Sequence, residues 1–199
     1  MKPTDLTCVS MSKNPFAQRS CVMCSPISPS PVEDRDALLA AISDVAENSL
    51  FAFADASEQA AFEAAATAPL TEGGSDWLSA RVHFSGPVAG RLELTVPEPL
   101  ARHLCASFSG AETPEEIGET DLVDFIGELS NMMCGTWLTR ARRHDAFSLT
   151  PPEVHRGAPR GDRSEDAELF YLSIDEAPIR VVVQGGIAPP PNQERADAR

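Results

Sequence analysis

Basic residues are scarce in this chain: 16 Lys and Arg stand against 30 Asp and Glu, a formal net charge of −14. Nucleic-acid surfaces need clustered cations facing phosphates, so this balance argues against that class and against docking on anionic lipid. Long apolar runs are missing too. None approaches the ~18 residues that cross a bilayer. Residues 1–20 carry a lysine but no continuous apolar stretch of the secretory kind. The expectation is a soluble cytoplasmic protein. Aromatics make up only 6%, yet apolar residues reach 42% of 199, enough for one domain with a real core and perhaps tails.

The five cysteines are odd in number and the chain is not small, which disfavours a disulfide framework. Cys21 and Cys24 have CxxC spacing, but no second pair of ligands follows at zinc-like spacing. A redox motif of this spacing should follow a strand and open a helix, whereas prolines and serines follow here. Incidental thiols are the expectation, with no metal site. His83, His103, His144 and His155 show no ligand-like spacing either.

The chain divides into a polar, proline-broken leader (1–32), a domain (33–184) and a disordered tail (185–199). Apolar residues recur at helical spacing over 34–54, with Asp34 or Asp36 as a possible cap. Residues 60–68 read as a loop or short helix. Residues 77–84 and 91–96 alternate apolar and polar around a glycine-bounded turn, predicting a β-hairpin. Pro97 and Pro99 open a helix over 100–108 that Gly110 ends. A long helix, capped by Thr120 or Asp121, runs to about Arg143. Its acids near the start and arginines near the end suit the helix dipole. A short strand at 147–150 stops at Pro151, and 169–174 with 179–184 form a second hairpin. The predicted fold class is α+β: an antiparallel sheet built from hairpins, with helices packed on one face.

The long helix carries the most telling pattern. Asp124, Glu128, Asn131 and Gly135 fall within roughly 60° of one another on a helical wheel. Leu122, Phe125, Ile126, Leu129, Met132 and Met133 take the other side, the face for a core. The outward stripe has no cation until Arg140. Glu128 and Asn131, three residues apart, are surface neighbours. The acid offers an ion pair or a base; the carboxamide donates and accepts, holding a water in one orientation without taking up its proton. Gly127 and Gly135 leave little bulk beside them, so another backbone has room to approach. On periodicity alone, a solvated helix face is the plainer account of the pair.

Asp124-xxx-Glu128-xx-Asn131 followed by Gly135 resembles the signature of the CheC/CheX chemotaxis phosphatases. The similarity extends to the F-x-G-x-x-x-G turn within residues 82–97, to a strand after the helix within 149–155, and to the closing hairpin. Only one ExxN occurs, since Glu47 and Asn48 of the first helix are adjacent, so the likeness is to CheX rather than to two-site CheC. The resemblance implies hydrolysis of the aspartyl phosphate of a CheY-like response regulator. Asn131 would orient the attacking water, Glu128 would pair with the regulator's lysine, and Asp124, Gly127 and Gly135 would meet the partner. It implies no cofactor bound by this chain, Mg²⁺ being expected in the partner receiver domain, and a homodimer. A non-catalytic module docking on a response regulator or a flagellar-switch partner is the alternative.

Overall fold

The computed structural model describes residues 31–67, 77–142, 144–157, 159 and 167–185, with side chains from Asp36 onward. The leader up to residue 30, its CxxC, Arg143 and the tail from residue 186 lie outside the described residues. Helices are α1 (Pro31–Val45), α2 (Gln59–Thr67), α3 (Glu98–Ser109) and α4 (Glu119–Ala141). Strands are β1 (Ala54–Ala56), β2 (Trp77–Ser85), β3 (Gly90–Pro97), β4 (Ser148–Leu149), β5 (Glu153–Arg156), β6 (Ala167–Ile174) and β7 (Ala177–Gly185). They form one antiparallel sheet in the order β1-β6-β7-β3-β2, with β4 and β5 both on the outer edge of β2. The α+β class expected from the sequence is the one observed.

Alternation decides which way each strand faces. Leu78, Ala80, Val82 and Phe84 of β2 point to one side with Leu92, Leu94 and Val96 of β3, and all are buried. The opposite side pairs polar groups in register. Ser79 lies across from Thr95, their hydroxyls 3.1 Å apart, and Arg81 Nε donates to Glu93 Oε2 at 2.9 Å. β7 continues the apolar face with Ile179, Val181 and Val183.

Helices α1, α3 and α4 cover that face. Trp137 of α4 meets Phe84 edge-on at 5.7 Å, and Phe125 meets Phe108 of α3 at 5.6 Å. Among the described helices, α2 alone lies on the polar side. Its buried Phe62 stacks near Trp77 (5.0 Å) and Tyr171 (5.6 Å), with the Arg180 guanidinium 5.3 Å from its ring centre. That arrangement shields a charged face with one aromatic.

Several boundaries differ from the sequence reading. The first helix starts at Pro31, so Asp34 and Asp36 lie inside it rather than capping it. It ends in a π-helical turn, Ala46–Leu50, where Phe51 takes a left-handed conformation (φ 56°). Phe51 and Phe53 continue the apolar pattern but stand 82% and 73% exposed, so no burial extends the helix through them. Instead Phe53 exchanges backbone and side-chain bonds with Asp175 at the β6–β7 turn, and β1 joins the sheet. Helix α4 starts after Gly118, with neither Thr120 nor Asp121 acting as a side-chain cap. Its start is tied down by charge. Arg102 and Arg156 each pair with both Glu98 and Glu119, joining α3, α4 and β5.

Candidate active site on the long helix

Helix α4 is wedged between the sheet and two helices, so most of its circumference is buried. Leu129, Met133 and Cys134 are fully enclosed, and Ile126 and Leu122 anchor the preceding turns. The remaining stripe reaches solvent: Asp124 and Glu128 are exposed, while Asn131 and Gly135 are half-buried. The sequence-predicted stripe is therefore the outward one, and Glu128 and Asn131 project from it side by side.

Asn131 lies on a groove along the α1–α4 seam. Met132, Gly135, Thr136, Thr139 and Arg140 line it from α4, and Asp44 from α1. The Asn131 carboxamide oxygen is buried and has no hydrogen-bond partner among the described residues. A buried polar atom without a partner is costly and uncommon, so this amide is not employed in holding the fold. A turn of the amide about its last side-chain bond would bring this acceptor to the groove, where water can reach it. Thr139 is used internally, its hydroxyl donating to the Gly135 carbonyl at 2.8 Å.

The two glycines separate. Gly127 is buried, and a Cβ built there would stand 2.8 Å from Cγ of Pro152 in the same chain. The space read as open to a partner is filled internally, because Pro152 leads β5 back over the helix. Gly127 is thus a packing residue rather than a partner-facing one. Gly135 differs: its nearest neighbour would be Leu149 Cδ1 at 3.9 Å, so nothing in the fold needs a glycine there. Two other residues also shift. Met132, expected in the core, packs at its margin and borders the groove. Cys134, expected near the exposed flank, is fully buried, and burial pushes its thiol up to about 12.

Asp44 and Arg140 were not singled out by sequence. They form an ion pair across the groove although 96 residues apart, and Arg140 had a sufficient explanation in the helix dipole. Among the described residues no group of three His, Cys, Asp or Glu side chains is placed to hold a metal ion, and no helix is long and apolar enough to cross a membrane.

Residues 78–173 match the family model described as chemotaxis phosphatase CheX. Over that stretch, a little under half of its length, the chain is similar to the CheX family. It shares its fold with the chemotaxis protein CheX of Vibrio vulnificus at 18% identity and a TM-score of 0.59, covering 80% of this chain and 100% of that one. CheX from Desulfovibrio desulfuricans gives 15% identity and a TM-score of 0.58, with 77% and 99% covered. The CheX-CheY-BeF3-Mg²⁺ complex from Borrelia burgdorferi gives 15% and 0.52, with 77% and 98% covered. No curated protein sequence matches the chain significantly. The matched region contains the stripe from Asp124 to Gly135, the first hairpin from Leu78 onward and β6 up to Ser173.

Proposed function

We propose that this CheX-like chain hydrolyses the aspartyl phosphate of a CheY-like receiver domain. The observation that carries this reading is the half-buried Asn131 on the groove, its amide oxygen held by no hydrogen bond among the described residues, beside the exposed Glu128. Docked against the phosphoaspartate, Asn131 accepts a hydrogen bond from a water and points its lone pair at phosphorus. The water oxygen bonds to phosphorus in line as the P–O bond to the aspartate breaks, leaving free carboxylate and inorganic phosphate. Glu128 pairs with a lysine of the partner and fixes the register. Neutralising charge at the phosphoryl oxygens would come from Mg²⁺ expected in the partner, not from residues of this chain. Phosphoryl transfer asks mainly for alignment and charge placement, so no nucleophile from this chain is needed. The Borrelia relative, solved with CheY, BeF3 and Mg²⁺, supports a partner of this kind.

Asn131→Ala should slow phosphate release from a phosphorylated receiver domain about 10²–10³-fold, or ~3–4 kcal/mol of barrier. Its melting temperature should not fall, because the lost oxygen bonds nothing in the fold. Near-normal turnover by the variant refutes the role of Asn131. Binding of the receiver by the wild type with no rise in rate identifies a docking module instead.

A further inference from the structure

The ion pair between Asp44 and Arg140 is unused by the reaction just described. It spans α1 and α4, and both side chains line the groove that holds Asn131. The pair is poorly placed to be a staple. Its partners are 46% and 38% exposed, and ion pairs that wet contribute little to stability. The two helices already share a core through Leu38, Ile42, Leu129 and Met133. Electrostatically the pair is more telling. Asp124 and Glu128 make the outward stripe acidic, and Arg140 is the one cation among the residues lining the groove. A partner that brings an aspartyl phosphate to Asn131 brings an anionic surface over the same groove, where Asp44 and the neighbouring acids of the stripe repel it and Arg140 alone among the lining residues attracts it.

Building on the phosphatase reading, we propose that Arg140 is a positioning and specificity residue for the phosphorylated receiver domain. Asp44 holds the guanidinium across the groove in the free protein. On docking, Arg140 takes up a carboxylate of the receiver beside its phosphorylated aspartate, which sets how the receiver sits over Asn131. The planar guanidinium suits this exchange, since its fork holds two acceptors at once.

The test is the charge swap Asp44→Arg/Arg140→Asp, read against wild type by melting temperature, by affinity for a beryllofluoride-activated receiver domain, and by KM and kcat for phosphate release. The swap rebuilds the internal pair but puts an anion where the receiver meets the groove. We expect an unchanged melting temperature, Kd and KM raised on the order of tenfold, a lowered kcat as the receiver seats less well over Asn131, and a weaker salt dependence of KM. Wild-type affinity and KM in a stably folded swap overturn the proposal, because only the internal pair then matters. If the swap does not fold, Arg140→Met keeps the length of the side chain without its charge. A normal Kd for that variant overturns the proposal, and a raised Kd with normal stability supports it. Failure of the wild type to speed phosphate release sinks the phosphatase reading separately, since the binding measurement still reports on Arg140.

Discussion

The two glycines of α4 predict opposite outcomes for the same substitution. Alanine in a helix interior is favoured over glycine by about 1 kcal/mol. At Gly135 nothing opposes that gain, because the new methyl would stand no nearer than 3.9 Å to any neighbour. Gly135→Ala should therefore stabilise the fold by roughly 0.5–1 kcal/mol. At Gly127 the methyl would meet Pro152 Cγ at 2.8 Å and Cβ at 3.4 Å, with Val154 Cγ2 behind at 3.7 Å. A proline ring is tied to its backbone at both ends, and β5 immediately beyond is hydrogen-bonded to β2 from Glu153 to Arg156. The ring cannot swing aside as a long side chain would. Overpacking of this kind costs roughly 1–3 kcal/mol, which outweighs the propensity gain and leaves a net loss near 1 kcal/mol.

The variants should thus differ by about 2 kcal/mol, or about 4–8 °C in melting temperature for a domain of this size. Paired thermal and urea melts read this directly. Equal melting temperatures, or a more stable Gly127→Ala, would show that Pro152 does not pin the helix. Activity divides them the other way. Gly135 borders the groove, so its methyl should hinder a docked receiver and raise KM in the more stable protein. Gly127→Ala should keep KM wherever it remains folded.

Two further outcomes follow from buried and paired titratable groups. Burial alone would raise the Glu98 carboxyl, but hydrogen bonds from Arg102 and Arg156, with their charges, outweigh it and hold the group below its usual range. A depressed folded value contributes stability that is present above the unfolded value, near 4.5, and lost as pH falls through the folded one. Urea midpoints of Glu98→Gln should accordingly fall below wild type at pH 7 and converge with it at low pH; parallel curves would count against the pairing. Cys134, its thiol pushed up to about 12 by burial, should resist a thiol reagent at pH 8 in a protein whose Cys8, Cys21, Cys24 and Cys105 are serine. Labelling should appear only as urea unfolds the chain, and prompt labelling of the native protein would contradict the burial.

How far the sequence could be read depended on whether burial left a period in it. Both hairpins and α4 were legible because their residues alternate or repeat around a dry face, as Leu78 to Phe84 and Leu122 to Met133 do. Strands β1 and β5 left no such trace. Ala54–Ala56 and Glu153–Arg156 are short, mostly exposed edge segments that join the sheet through backbone hydrogen bonds, so burial imposes no period on them. The outward stripe of α4 was legible for the same reason as its core. The company it keeps was not: Pro152 over Gly127 and Asp44 beside Arg140 are meetings of distant segments, which no local spacing records.

Position and packing are one requirement in this site. A residue that aligns water without exchanging a proton is only as good as its placement, to within about half an ångström. Asn131 emerges directly from Ser130, which is fully buried, with Met133 and Cys134 enclosed one turn on. Its backbone is therefore fixed by the core rather than by hydrogen bonds to the amide, and both its own oxygen and the Ser130 hydroxyl remain without partners. A group held by its neighbours through hydrogen bonds would have to break them before engaging a substrate. On the proposed reading, an amide held by packing alone has no hydrogen bond to break before it turns toward a docked phosphoryl group, and the fold bears the cost of the unpaired atom until then.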